Sequence, residues 1–295
     1  MRRDLSEKIQ GVIIGSGLVK AVADPIYDLM NRLFLETPLR PLKLLASGVW
    51  LDHPLHPLLT DVPIGAWTVA VVLELGALLF AIPNLGQASA IAIGLGVLAA
   101  LAAIATGLMD WMDVDPPEKA VGLVHAVLNT FSTILFAVAA FMLWQSNWGI
   151  SLAQFVVLIV AYGVIASGAF LGGDLVYRLG VMNNRNAYRK GPKDYVPAIA
   201  LNELAENQPK RVEVKGQPIV LVRRGDKVYA VGAVCSHYGG PLEKGKVVGD
   251  TIKCPYHYSR FGLKDGSVKE GPSTAPVPAY DTQVVSGQVQ VRKAS

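Results

Sequence analysis

Cysteine is almost absent. The 295-residue chain has two, Cys235 and Cys254, and only five histidines. With no thiol to spare, a disulfide framework is excluded wherever the two cysteines have another duty, and thiols kept as ligands fit a reducing compartment. Charge is thin as well: charged residues make up 17% of the chain against 52% hydrophobic. Mean hydropathy is +0.38, which points to a membrane part. The net charge of +4 is mild and its basic residues are scattered near the edges of apolar runs, which suits a lipid surface and excludes a nucleic-acid binder. No glycine-rich nucleotide loop follows a strand, so flavin or nicotinamide binding is unsupported. A 2-His-1-carboxylate iron site in a large soluble domain, as a substrate-activating oxygenase needs, is missing too.

What little cysteine and histidine there is converges. Both cysteines and two histidines fall in Cys235-Ser-His237 and Cys254-Pro-Tyr-His257, a C-x-H and a C-x-x-H separated by sixteen residues. Two thiolates and two imidazoles at this spacing can hold a metal. A Cys2His2 zinc site is one solution. A [2Fe–2S] cluster with two Cys on one iron and two His on the other is the second.

The surrounding residues resemble the Rieske family beyond the four ligands. C-x-H-x-G-x-x-L is matched by Cys235, His237, Gly239 and Leu242; Ser259 and Phe261 follow the second pair; and the Pro-rich run Gly271 to Pro278 lies where the family has a loop covering its cluster. The resemblance implies a [2Fe–2S] cluster held by Cys235, His237, Cys254 and His257, with the histidine iron outward and favoured for electron entry and exit. It also exposes departures. High-potential respiratory members carry a disulfide between the ligand loops, and a Ser and a Tyr whose hydroxyls bond cluster sulfurs. Here no cysteine is spare, Ser259 is present, and Phe261 stands where the Tyr would be. The implied potential is therefore low to intermediate, as in ferredoxins. Tyr258 replaces a glycine common after the second histidine.

Four apolar segments, about Pro63 to Ala81, Ala88 to Met109, Ala120 to Trp144 and Leu152 to Gly172, approach or exceed the ~20 residues that span hydrocarbon as a helix. The first and third connections carry no charge. The other side has Arg2, Arg3, Lys8, Lys20, Arg32, Arg40 and Lys43, the Asp110 to Lys119 loop, and Arg178, Arg185, Arg189 and Lys190. The positive-inside rule makes that side cytoplasmic. Arg2-Arg3 with Ala21-Val-Ala23 faintly resembles an export signal, but Asp4, Glu7 and a glycine-broken apolar run argue for retention. Short β-rich runs after residue 195, punctuated by Gly turns, predict a small antiparallel domain. The expected fold is α+β and multidomain: an interfacial helical segment over 1–50, a four-helix transmembrane bundle over 51–180, a linker over 181–194 and a β domain over 195–295.

The remaining histidines are His53, His56 and His125, expected at similar depth on the charged side with Asp61, Asp110, Asp113 and Asp174. The runs Trp50 to Trp67, Thr106 to Asp110, His125 to Asn129 and Gly172 to Tyr177 resemble a four-helix bacterial membrane domain whose function is not established, which implies a multi-pass protein of the inner membrane. Four readings stay open for the histidines: a haem b held by His125 and one of His53 or His56, with His56 preferred because Pro57 at N1 would fix the turn; a quinone pocket; a metal held by His56, His125 and a carboxylate; or a hydrogen-bonded structural cluster. Asn129 and Thr68 are expected in the same cavity. Glu74, expected near mid-membrane, is a candidate proton site. The functional expectation is a membrane-anchored carrier of single electrons, with a lipid bilayer and a redox protein as partners. The alternative is an accessory subunit of a larger membrane redox complex, its bundle only a docking anchor.

Overall fold

The computed structural model describes residues 4–189 and 191–294; Arg2, Arg3 and Lys190 lie outside them. The chain forms two compact units. One comprises residues up to Ser47 together with Pro54–Val181; the other comprises Gly48–His53 and Met182 onward.

The first unit is helical. α1 (Leu5–Gly15) starts at Asp4, whose carboxylate accepts the Glu7 N–H at 2.9 Å. Ser16 both ends α1 and caps α2 (Gly17–Phe34), and the two helices meet at a 69° bend. α2 thus begins well before Pro25 and runs through that proline. α3 (Arg40–Ala46) follows. The bundle proper is α4 (Leu55–Phe80), α5 (Leu85–Trp111), α6 (Glu118–Gln145) and α7 (Leu152–Gly173), the last ending in a π turn over Asp174–Arg178. These four helices are long and apolar enough to cross a membrane, and the bent pair α1–α2 would pass as a fifth.

α4 starts at Leu55, not near Pro63. Pro54 precedes its first turn, Pro57 falls at the third helical position rather than N1, and Pro63 is carried inside the helix. A proline forfeits one backbone bond, which a packed membrane helix tolerates when neighbours satisfy the freed group. The consequence is positional: the centre of α4 moves toward its start.

Outside, the bundle presents Val72, Ile91, Leu95, Leu98, Phe131 and other large apolar side chains. Inside, small residues let helices approach. Trp67 is wholly buried, bonds the Ile93 carbonyl through its indole N–H at 3.3 Å, and lies against Gly96, where a Cβ would overlap the ring. Across the bundle it stacks on Phe136 with centroids 3.9 Å apart. Gly163 and Ser167 face outward: nothing lies within 4 Å of a Cβ at Gly163, and Ser167 is exposed. The N-terminal helices pack on the bundle, α1 and α2 on α6 and α3 on α5. Lys43 of α3 is fully buried in an ion pair with Asp113 at 2.5 Å.

The second unit is a β domain of two antiparallel sheets. The larger runs β1-β10-β9-β4-β3-β2, from β1 (Val196–Ala200), β2 (Lys210–Val214), β3 (Gln217–Arg224), β4 (Lys227–Gly232), β9 (Ala279–Val285) and β10 (Gln288–Lys293). The smaller runs β5-β6-β7-β8, from β5 (Lys246–Val248), β6 (Thr251–Lys253), β7 (Arg260–Gly262) and β8 (Val268–Glu270). Periodicity exposed the buried strands β3 and β4, which read as continuous apolar runs; β2, β7 and β8, with charged residues in them, gave no such signal.

Candidate metal centre

Two loops of the β unit carry the four ligand candidates. One joins β4 to β5, the other joins β6 to β7, and both close in the same way. The Cys235 N–H donates to the Gly240 carbonyl at 2.9 Å, and the Cys254 N–H to the Ser259 carbonyl at 2.8 Å. Each loop needs a left-handed residue just before its closing carbonyl. Gly239 supplies it in the first at φ 79°, and Tyr258 supplies it in the second at φ 67°. The tyrosine that replaced the expected glycine therefore keeps the glycine geometry, at a cost of about 1–2 kcal/mol. The Lys253 ammonium, 4.0 Å over its ring, offsets part of that.

The four side chains come together and are buried, the cysteines 2% exposed and His237 and His257 4% and 6%. The imidazoles meet edge to face with centroids 5.2 Å apart. A hydrogen bond to Cys254, then burial, pushes the Cys235 thiol up, and the same bond lowers Cys254. Each thiol would have to lose its proton to hold iron as a thiolate. Gly240 leaves the room: a Cβ there would stand 2.7 Å from Cys254 Sγ. Among the described residues no three or more His, Cys, Asp or Glu side chains surround one ion position, as a closed zinc site requires. Donors paired by type fit a [2Fe–2S] cluster instead, two sulfurs to one iron and two imidazoles to the other.

The Pro-rich segment is pinned to both loops through Ser273. Its hydroxyl pairs with that of Ser236 at 2.7 Å, and its N–H donates to Ser259 Oγ at 3.0 Å. By accepting there, the Ser259 hydroxyl keeps its own hydrogen for donation. Ser273 had no motif to mark it; its role comes from two contacts distant in sequence. The same holds for Asn186, in the stretch expected to be a linker, whose side-chain N–H donates to the Val234 carbonyl beside Cys235 at 2.8 Å. Phe261 is fully buried in the core that includes both cysteines. Phe261→Tyr places a hydroxyl there and is expected to raise the reduction potential, since hydrogen bonds to cluster sulfurs do so. Protein-film voltammetry checks it; an unchanged potential contradicts the placement.

Residues 194–281 match the family described as Rieske [2Fe-2S] domain. The anthranilate 1,2-dioxygenase ferredoxin subunit of Burkholderia cepacia is 33% identical over 98 residues, covering 33% of this chain and 91% of the relative. This chain belongs to the Rieske family. Ferredoxin CarAc of Metapseudomonas resinovorans is 30% identical over 98 residues, 33% of this chain and 92% of that protein. Among solved structures, the ferredoxin of carbazole 1,9a-dioxygenase from Nocardioides aromaticivorans IC177 is similar over its whole length and 35% of this chain, at 32% identity and a TM-score of 0.33. Ahead of the Rieske domain, residues 52–185 match the family described as Predicted membrane protein (DUF2231).

The fusion partner's candidate residues are only partly brought together. The rings of His56 and His125 lie 6.3 Å apart, centroid to centroid. His53 is exposed and groups with the Rieske unit, so it does not join them. Asp61 and Thr68 are exposed, and Thr68 pairs with the Tyr162 hydroxyl at 2.8 Å. Asp113 is taken by Lys43, and Asp174 accepts from Ser6 and Gln10 of α1. Glu74, expected near mid-membrane, lies in the second half of α4. It accepts from Ser89, near the start of α5, at 2.7 Å and from Gln154, near the start of α7, at 2.9 Å, which sets it toward the uncharged end of the bundle. The early start of α4 accounts for the difference.

Proposed function

We propose that this protein is a membrane-anchored Rieske electron carrier. The observation that carries the reading is the convergence of Cys235, Cys254, His237 and His257 through two loops of matching closure, as the ferredoxin relatives lead one to expect. A bound [2Fe–2S] cluster supplies one-electron transfer. The protein's own residues would position it: the cysteines would hold one iron as thiolates and the histidines the other. Tyr238 and Tyr256 ring the histidine side, their rings 6.2 and 6.1 Å from that of His257, and Tyr256 is 45% exposed. That rim is where a redox protein partner would dock, with the edges of His237 and His257 as the route for electrons.

The membrane face is part of the same proposal. Lys and Arg of the helical unit gather at the ends where α4 and α6 begin and α5 and α7 finish, while the connections 81–84 and 146–151 carry no charge. The positive-inside rule sets the charged end in the bacterial cytoplasm, and an even number of spans returns the chain to it before the Rieske domain. A haem b or quinone held in the bundle would give the cluster a second redox centre to exchange with, and a larger membrane redox complex would be the setting for both.

The test is electron paramagnetic resonance of dithionite-reduced membranes. The Rieske signal is expected from the full chain and lost in Cys254→Ala, and a partner-reduced signal in inside-out but not right-side-out vesicles marks the cytoplasmic face. An EPR-silent protein with equimolar zinc would overturn the carrier reading.

A further inference from the structure

The bundle repeats itself. α4–α5 and α6–α7 are two hairpins carrying the same constellation. In each, the first helix bears a histidine and, eleven residues later, a buried aromatic: His56 and Trp67, His125 and Phe136. In each, Nδ1 of the histidine lies 2.8 Å from a backbone carbonyl of the second helix, Ala103 or Gly168. Four residues beyond that carbonyl stands a glycine, Gly107 or Gly172, where a Cβ would come within 2.7 or 2.8 Å of the imidazole Cε1. Across the bundle the two imidazoles meet with their planes 86° apart and the aromatics stack, and the repeated constellation relates the two hairpins by a pseudo-twofold axis.

We propose that His56 and His125 are the axial ligands of a b-type haem iron on this axis. The inference rests on the electron-carrier reading and names the bundle's own redox group. Four observations carry it. A carbonyl only accepts, so both histidines hold their proton on Nδ1 and keep the lone pair on Nε2, the tautomer a backbone bond imposes on ligating histidines. Asn129 Nδ2 is 3.1 Å from both ring nitrogens of His125; an atom equidistant from the two lies over the ring face, not along the Nε2 lone pair. Among the described residues none hydrogen-bonds His56 Nε2. The separation also fits. With a nitrogen about 1.1 Å from its ring centroid and about 2.0 Å from the metal, two opposed imidazoles stand roughly 6.2 Å apart, and these are at 6.3 Å. Finally, no third His, Cys, Asp or Glu completes an ion site among the described residues. Zinc, or a non-haem iron, asks three or four ligands of the protein. A haem iron asks two on facing helices, because the macrocycle brings the rest.

The experiment is a reduced-minus-oxidised optical spectrum of the purified full chain, with pyridine haemochrome quantification, metal analysis and Rieske EPR on the same sample. Equimolar low-spin b-type haem is expected. It is lost in His56→Ala and in His125→Ala, retained in His53→Ala, and retained with a raised potential in His125→Met, which also guards against the alanine variants failing to fold. Absence of haem with the Rieske signal intact overturns the ligand assignment and leaves the carrier reading standing. So does equimolar copper, or extractable quinone, in place of haem. Haem surviving both alanine variants overturns it as well. Haem present with no Rieske signal sinks the carrier reading alone.

Discussion

Gly240→Ala is expected to strip the protein of its cluster while the β domain stays folded. Gly240 closes the first ligand loop, its carbonyl accepting the Cys235 N–H at 2.9 Å, so its backbone is held in place. An added methyl group would stand 2.7 Å from Cys254 Sγ and 3.1 Å from the Tyr256 ring. Neither neighbour can yield cheaply. Cys254 is anchored by its own N–H bond to the Ser259 carbonyl at 2.8 Å, and a shifted sulfur would be misplaced for an iron held jointly with Cys235. Overpacking of this kind costs about 1–3 kcal/mol in an ordinary core; here the strain falls on a metal ligand. The sheets do not depend on that sulfur, since Val220, Val222, Leu242, Ile252 and Phe261 pack around it independently. The measurement is iron per chain together with the reduced EPR signal and far-ultraviolet circular dichroism. A variant that loads iron as the parent does would show that the loop carries more slack than the geometry allows.

Trp67→Ala should cost the helical bundle about 3–5 kcal/mol, the usual range for deleting a buried large aromatic. The indole is wholly buried, stacks on Phe136 at 3.9 Å, fills the groove left by Gly96 and donates to the Ile93 carbonyl. Within a membrane no hydrophobic force pulls helices together, so packing of this sort supplies much of the association. Gly96→Val should reproduce the loss from the other side, by expelling the indole. A double-mutant cycle with Phe136→Ala is expected to show a coupling of about 0.5–1.5 kcal/mol. Denaturation in mixed micelles, monitored by the helical signal, reads these values. An effect below about 1 kcal/mol from Trp67→Ala would mean the bundle can collapse onto the void.

Much of the candidate centre was legible because its ligand candidates are local. A loop that closes within six residues brings Cys235 and His237 together by chain connectivity, and likewise Cys254 and His257. The residues that steady those loops were not legible. Ser273 reaches Ser236 and Ser259, and Asn186 reaches Val234, across separations that no short motif spans. In the bundle the number of spans was readable from apolar length, but their starts were not. Pro63 looked like a boundary, yet Pro54 is where α4 begins, and that displacement moved Glu74 out of the middle of its span. His53 and His56 looked like a pair because three residues separate them; the fold sends them to different units.

The amino-acid sequence by itself determined the candidate donor set, the succession of a four-span apolar region and a β domain, and the absence of a second cysteine pair, because each depends on residue type and spacing along the chain. Only the tertiary structure decided that Tyr258 holds a glycine's backbone conformation, that Gly240 makes room for a sulfur, and that His56 meets His125. Those are contacts between distant segments. They are set by how helices and sheets pack, and packing compares shapes that a linear pattern of polarity does not carry.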